Sequence, residues 1–150
     1  MKIGLISDTH GVFKEEWKEL FSDCDYLIHA GDFASPEVYR AFRSLGIPMY
    51  MVAGNCDRGS WAQYIPETLS FRIAGKMFFL IHDPARIRFD LPGTDFIIHG
   101  HTHHFRHDTI GGITVINPGS AGSPRGGEGA GAAKLTLNED GSYELEHLSF

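Results

Sequence analysis

"KIGLISDTHGVFKEEWKELFSDCDYLIHAGD" (residues 2–32) decides how the fold is read. Its opening run, KIGLIS (2–7), is almost continuously apolar, as expected of a strand buried on both faces. In VFKEEWKELFSDC (12–24), Phe13, Trp17, Leu20 and Phe21 recur at helical spacing and predict a helix. YLIH (26–29) reads as the next strand. Beyond it, SPEVYRAFRSLG (35–46) carries Ser35 as N-cap, Pro36 at the first helical position and Gly46 as a stop. PMYMVAGN (48–55) is a third strand. Strand, helix, strand, helix, strand is the pattern of a parallel sheet covered on both faces.

The second half changes character. LSFRIAGKMFFLIH (69–82) reads as two strands turning about AGK. DFIIHGHTH (95–103) is a strand running into a loop, and TIGGITVIN (109–117) a hairpin. AAKLTLNEDGSYELEHLSF (132–150) is a strand, an Asp-Gly turn and a strand. GSAGSPRGGEGAGAA (119–133) is a low-complexity loop, expected to move freely. An α/β half running into a β-rich half without a linker predicts an α/β fold of two packed sheets with outer helices, in one domain over residues 1–150.

Composition narrows the function classes. Thirteen Lys and Arg stand against nineteen Asp and Glu, a formal charge of −6. That balance argues against a polymeric nucleic acid or an anionic membrane as partner, since both need a basic surface. A small phosphorylated substrate stays open, because a bound metal could attract it locally. Two cysteines, Cys24 and Cys56, make no disulfide framework. No apolar run reaches membrane-span length, and the N-terminus turns polar too soon for a signal peptide. These features predict a soluble, reduced, cytoplasmic protein; self-association stays open.

The ends of the apolar runs carry the chemistry. The first ends in SDTHG with Asp8 and His10, the second in HAGD with Asp32, the third in AGNCD with Asn55. Later ones end in LIHD with His82 and HGHTH with His101 and His103. Open α/β sheets build their sites at the carboxyl ends of strands. Two Asp, one Asn and four His form a mixed oxygen and nitrogen set without thiolate, suited to Mn, Fe, Zn, Co or Ni. Seven donors exceed one four-coordinate ion and suit two, if one carboxylate bridges. Two ions about 3.5–4 Å apart clamp the attacking and leaving oxygens of an in-line displacement.

Each residue alone has an ordinary explanation. Asp8 and His10 could cap a helix, and Asn55 could make an Asx turn. His82 could be a hydrogen-bonded strand end, and His101 with His103 a polar strand face. Jointly these explanations need a separate accident at every strand end. His29 reads as structural or supporting, and His99 as able to orient a ligand through its ring N–H. His104, His107 and His147 read as surface residues. NPGSAGSPR lacks the Gly-Lys-Ser/Thr of a P-loop, which excludes nucleotide binding of that kind.

The ordered motifs SDTHG, HAGD, GNCD, GHTH and NPGS resemble the calcineurin-like metallophosphoesterase superfamily, in its small bacterial and archaeal phosphodiesterase branch. The resemblance runs from Lys2 to about Arg125. It implies a four-layer α-β-β-α sandwich of two mixed sheets flanked by helices. It also implies two divalent ions, manganese first, with Fe, Zn, Ni or Co as alternatives. One ion falls to Asp8, His10, Asp32 and His103, the other to Asp32, Asn55, His82 and His101, with Asp32 bridging. A metal-bridging hydroxide would attack phosphorus in a small phosphate ester, with Asp32, Asn55 and His101 carrying catalysis. Asn55, Cys56 and Arg125 would meet the substrate, and NPGS (117–120) would buttress the site.

Two departures from the family pattern bear on the substrate. Cys56 stands where many relatives have the His that protonates the leaving oxygen. A thiol is a poor acid for an alkoxide, which favours diesters and good leaving groups. HDPARIRF (82–89) replaces the Gly that often follows the His at position 82. The family also contains folds that serve mainly as binding modules, such as the scaffold subunit of the retromer coat. A catalytically weak metal-binding scaffold is therefore the alternative to a phosphoesterase. All seven donor residues are present, which favours the enzyme.

Overall fold

A computed structural model describes residues 1–150. Ten strands form two mixed five-stranded sheets. The first is ordered β10-β9-β1-β2-β3, with β1 (Lys2–Ile6), β2 (Tyr26–His29), β3 (Met49–Met51), β9 (Gly131–Leu137) and β10 (Tyr143–Ser149). The second is ordered β4-β5-β6-β8-β7, with β4 (Thr68–Ile73), β5 (Lys76–Ile81), β6 (Phe96–Ile98), β7 (Phe105–Ile110) and β8 (Ile113–Pro118). Strands β1, β2 and β3 run parallel, and β9 joins β1 antiparallel. In the second sheet β5, β6 and β8 run parallel, with antiparallel β4 and β7 at the edges.

The two sheets face each other across an apolar core. Ile3, Leu5, Ile28 and Val52 meet Phe71, Phe78, Leu80, Phe96, Ile98 and Ile116. On the outer face of the first sheet, Ile6, Leu27 and Phe33 pack with Trp17 and Phe21, in and just after α1 (Glu16–Leu20), and with Phe42 of α2 (Pro36–Arg43). Side chains of β1 therefore alternate between two buried cores, which is why its sequence shows no polar face. The outer layer over the second sheet is thin. A single 3-10 turn at Pro84–Arg86 and the following Ile87 lie over Ile97, Ile113 and Val115.

Helix α2 (Pro36–Arg43) starts where its sequence predicts, with the Ser35 hydroxyl accepting from the Val38 N–H at 3.2 Å. Helix α1 (Glu16–Leu20) is much shorter than the 12–24 pattern predicts. Tertiary bonds explain its early end. The Asp25 N–H donates to the Lys2 carbonyl and the Lys2 N–H to the Asp25 carboxylate, while Asp23 pairs with Lys2 and Lys134. These acids serve the sheet, and a longer helix would carry them away from it. The 119–133 segment is also more ordered than its composition predicts. Residues 131–133 belong to β9, and Ser120 and Ala121 are buried under the site.

Candidate metal centre

Strands β1, β2, β3, β5 and β6 bring their carboxyl ends to one rim, and all seven predicted donors converge there. The geometry of Asp32 organises them. Its Oδ1 accepts the Cys56 N–H at 2.8 Å, which leaves Oδ2 to face the others. That oxygen stands 3.3 Å from His10 Nε2 on one side and 3.3 Å from His82 Nε2 on the other. On the His10 side, His103 Nε2 lies 3.2 Å from His10 Nε2 and 3.3 Å from Asp8 Oδ1. One donor atom each from Asp8, His10, Asp32 and His103 lie within 4.8 Å of one another. On the His82 side, Asn55 Oδ1 lies 3.1 Å from His82 Nε2 and 3.2 Å from His101 Nδ1. Donors about 2.0–2.2 Å from one ion stand roughly 3.0–3.5 Å from each other, and the contacts quoted within each quartet, at 3.1–3.3 Å, fall in that range.

The ring orientations also suit a cation. His82 Nδ1 donates to the Ala30 carbonyl at 2.7 Å, which leaves Nε2 as the ring nitrogen facing Asp32 Oδ2 and Asn55 Oδ1. His103 Nδ1 donates to the Ser123 carbonyl, so its Nε2 faces His10 and Asp8. Asp8 divides in the same way. Its Oδ2 accepts from the Ser7 hydroxyl at 2.8 Å and the His101 N–H at 3.1 Å, while its fully buried Oδ1 has no hydrogen-bond partner. A buried orphan carboxylate oxygen is costly, and a divalent ion is the partner that suits it. Burial works against the charge of Asp8, but nearby imidazoles and the Ser7 hydroxyl outweigh it and hold the carboxyl below its ordinary range.

The backbone is bent to make these contacts. Asp8, His10, Asp32, His101 and His103 all adopt positive φ, between 43° and 75°. Such conformations cost on the order of 1–3 kcal/mol each and persist only where the surroundings enforce them. The pairing of β1 with β2 continues past the strand ends to do so, through Asp8 N–H to Gly31 O and His10 N–H to Asp32 O. Two glycines are required by close approach. A Cβ on Gly54 would lie 2.1 Å from Asp32 Oδ1, and one on Gly100 would lie 2.1 Å from Ser7 Oγ.

Asp57 is the residue that sequence reasoning missed. Its carboxylate accepts three backbone N–H groups, from Asp32, Ala34 and Gly54, each at 2.8 Å. It thereby ties the positive-φ turn of Asp32 and Ala34 to the loop bearing Asn55. Burial pushes its pKa up despite these bonds. In GNCD the only hint was an acid in a turn, which predicts nothing about a partner 25 residues upstream.

The supporting residues divide by what they hold. Asn117 donates to the Gly100 carbonyl at 3.2 Å and the Ser120 hydroxyl to the Asp8 carbonyl at 2.8 Å, so NPGS does lie beneath the donors. His29 is fully buried, accepts the Gly31 N–H at Nδ1, and turns Nε2 to the Thr9 hydroxyl. His99 acts on the chain rather than on a donor ring: it donates to the Gly100 carbonyl and accepts from Arg106. Burial keeps both neutral, with pKa values of about 3 and about 4. Of the surface histidines, His104 pairs with Glu128 and His107 with the Tyr143 hydroxyl. Cys56 is exposed beside Asn55, with its thiol pKa raised by burial and by the Asp32 charge. Arg125 is exposed on the loop after Ser120.

Two sheets with this rim define a metallophosphoesterase fold, and the sequence comparisons agree. The calcineurin-like phosphoesterase superfamily domain matches residues 1–140, and the chain belongs to that family. A probable metallophosphoesterase of Methanothermobacter thermautotrophicus is 32% identical over 139 residues, which span 83% of this chain and 80% of the relative. A phosphodiesterase of Methanocaldococcus jannaschii is 31% identical over 79% of this chain and 83% of its own length. Among solved structures, an archaeal phosphodiesterase superposes with a TM-score of 0.78 at 27% identity, covering 99% of this chain and all of the other. Vps29 of Entamoeba histolytica, complexed with Zn²⁺, shares the fold at TM-score 0.76 and 21% identity, with 99% of each chain covered. The archaeal relatives support the small prokaryotic branch of the family. No helix is long and apolar enough to cross a membrane.

Proposed function

We propose that this chain, acting as one domain, is a dinuclear-metal-dependent phosphodiesterase for small phosphate esters. One observation carries the reading: seven donors from five strand ends form two quartets that share Asp32 Oδ2. Asp8, His10, Asp32 and His103 would hold one divalent ion, and Asp32, Asn55, His82 and His101 the other, with manganese the first candidate. When bound, the ions supply an activated water and positive charge for the phosphoryl oxygens.

The chain's own residues do the rest. Asp32 keeps the two quartets at a fixed separation, because its second oxygen is pinned by the Cys56 N–H. Asn55 and His101 are exposed while Asp8 and His103 are buried, so the phosphate approaches from the Asn55 side. Arg125, exposed on the loop after Ser120, would meet a phosphate oxygen. No imidazole follows Asn55 to protonate a leaving oxygen, and a thiol is the weaker acid, so diesters with stable leaving groups are favoured. Both cysteines are unpaired, which suits a reducing cytoplasm.

The test is hydrolysis of bis-p-nitrophenyl phosphate by chelator-stripped protein with Mn²⁺ restored, and the monoester run in parallel. Manganese-dependent turnover, faster on the diester, is the expected result. Metal uptake with no turnover under any divalent ion would favour a metal-binding scaffold instead.

A further inference from the structure

A hollow of about 310 Å³ opens beside the second quartet. Asn55, His82 and His101 form its near side, and Glu67, Asp83 and Arg86 its far side. The pairing of β4 with β5 explains the arrangement. Thr68 lies opposite Ile81, so Glu67 flanks the start of β4 where His82 and Asp83 leave β5. The 3-10 turn at Pro84–Arg86, begun by the Asp83 carboxylate accepting the Ala85 N–H at 2.9 Å, then swings Arg86 across the opening. Arg86 Nη1 stands 3.7 Å from Glu67 Oε2.

Resting on the phosphodiesterase reading above, we infer that this hollow is the subsite for one ester substituent of the substrate, and that it takes a small polyol such as a glyceryl group. Its size admits a polyol or a nucleoside, so chemistry decides. A nucleoside gains affinity by stacking its base on an aromatic face, and apart from the candidate ligand imidazoles no aromatic ring lines the hollow. Its apolar members are one alanine and one isoleucine, which give little to an alkyl chain. A second phosphate is disfavoured as well, because the hollow sets the one cation of Arg86 against the carboxylates of Asp57, Glu67 and Asp83, and Glu67 already offsets Arg86. What that side offers is two groups that accept hydrogen bonds and one that donates. A vicinal diol donates twice and accepts, and so satisfies all three.

The experiment compares four chromogenic diesters on the metal-loaded full chain: glyceryl, propyl and thymidin-5′-yl p-nitrophenyl phosphates, with bis-p-nitrophenyl phosphate as the common reference. The glyceryl ester should exceed the propyl ester by about tenfold in kcat/KM, mostly through KM, as one charge-assisted hydrogen bond supplies. Glu67→Gln and Arg86→Gln should each shrink that glyceryl-to-propyl ratio, because each removes or weakens one hydrogen bond that only the diol can make. Equal rates for glyceryl and propyl, a thymidylyl ester that outruns both, or a ratio that survives both substitutions would overturn the inference and leave the phosphodiesterase reading standing. Failure to hydrolyse any of the four would remove both.

Discussion

The two donor quartets share an oxygen yet sit in different surroundings. The first draws on two carboxylates, and three of its four residues, Asp8, Asp32 and His103, are buried. The second has only the shared carboxylate, replaces the other with the neutral amide of Asn55, and leaves Asn55 and His101 exposed. Charge count and rigidity set cation affinity. On the two-ion reading proposed above, the first quartet would retain its ion, and the second would exchange with solvent and meet the substrate.

The heaviest blow to this comparison is the shared residue. Asp32→Asn should lower diester turnover on the order of 10³-fold, because it weakens both shells at once. Turnover and metal content measured together check this, with circular dichroism confirming the fold. Near-normal turnover at saturating metal would end the two-ion reading.

Titrating chelator-stripped protein with Mn²⁺ in a calorimeter separates the quartets. Two steps should appear, the tighter by roughly tenfold or more. His101→Ala should erase the weaker step and spare the tighter one, and His103→Ala should do the reverse. A single step, lost equally in both variants, would mean that the quartets are not distinct.

Asp57→Asn probes the clamp common to both. Exchanging a carboxylate that accepts three N–H groups for an amide should cost about 1–3 kcal/mol in urea unfolding. It should also loosen both Mn²⁺ steps, although Asp57 faces neither ion. Unchanged metal affinity would show that the Asp32 turn holds itself.

The smallest effect is acid sensitivity. His29 is neutral when folded, with a pKa of about 3. The unfolded chain takes up the proton near pH 6.5, so the folded state loses stability as the pH falls below that value and has lost all of this contribution by about pH 3. Between pH 7 and 5.5, His29 alone should remove about 1 kcal/mol from metal-free protein. His29→Gln should flatten this slope in urea midpoints collected across the range; a slope that persists would assign the sensitivity to other groups.

Much of this was legible beforehand for a local reason. An apolar run ending in a ligand-type residue beside glycine is a pattern within a few positions, and it marks both a strand and its functional end. The seven residues that converge at the rim were readable in this way, as were helix α2 and the β4–β5 hairpin. Helix α1 ends earlier than its periodicity predicts because Asp23 and Asp25 bond to Lys2, 21 and 23 positions upstream, which no helical periodicity records. The loop after β8 looked free because glycine and serine carry no side-chain pattern, yet its backbone carbonyls and hydroxyls support Asp8 and His103.

The sequence by itself determined the donor types, their order along the chain and the alternation of strands and helices, because each is written in neighbouring residues. Only the tertiary structure decided which donors share a shell. His10 and His103 lie 93 positions apart yet bring their Nε2 atoms to 3.2 Å. It also left Asp8 Oδ1 without a partner, set Asp57 beneath Asp32, and placed Glu67 and Arg86 around the hollow beside His82. Those outcomes depend on backbone bent into positive φ where two sheets meet, and such strain is held only by the assembled fold.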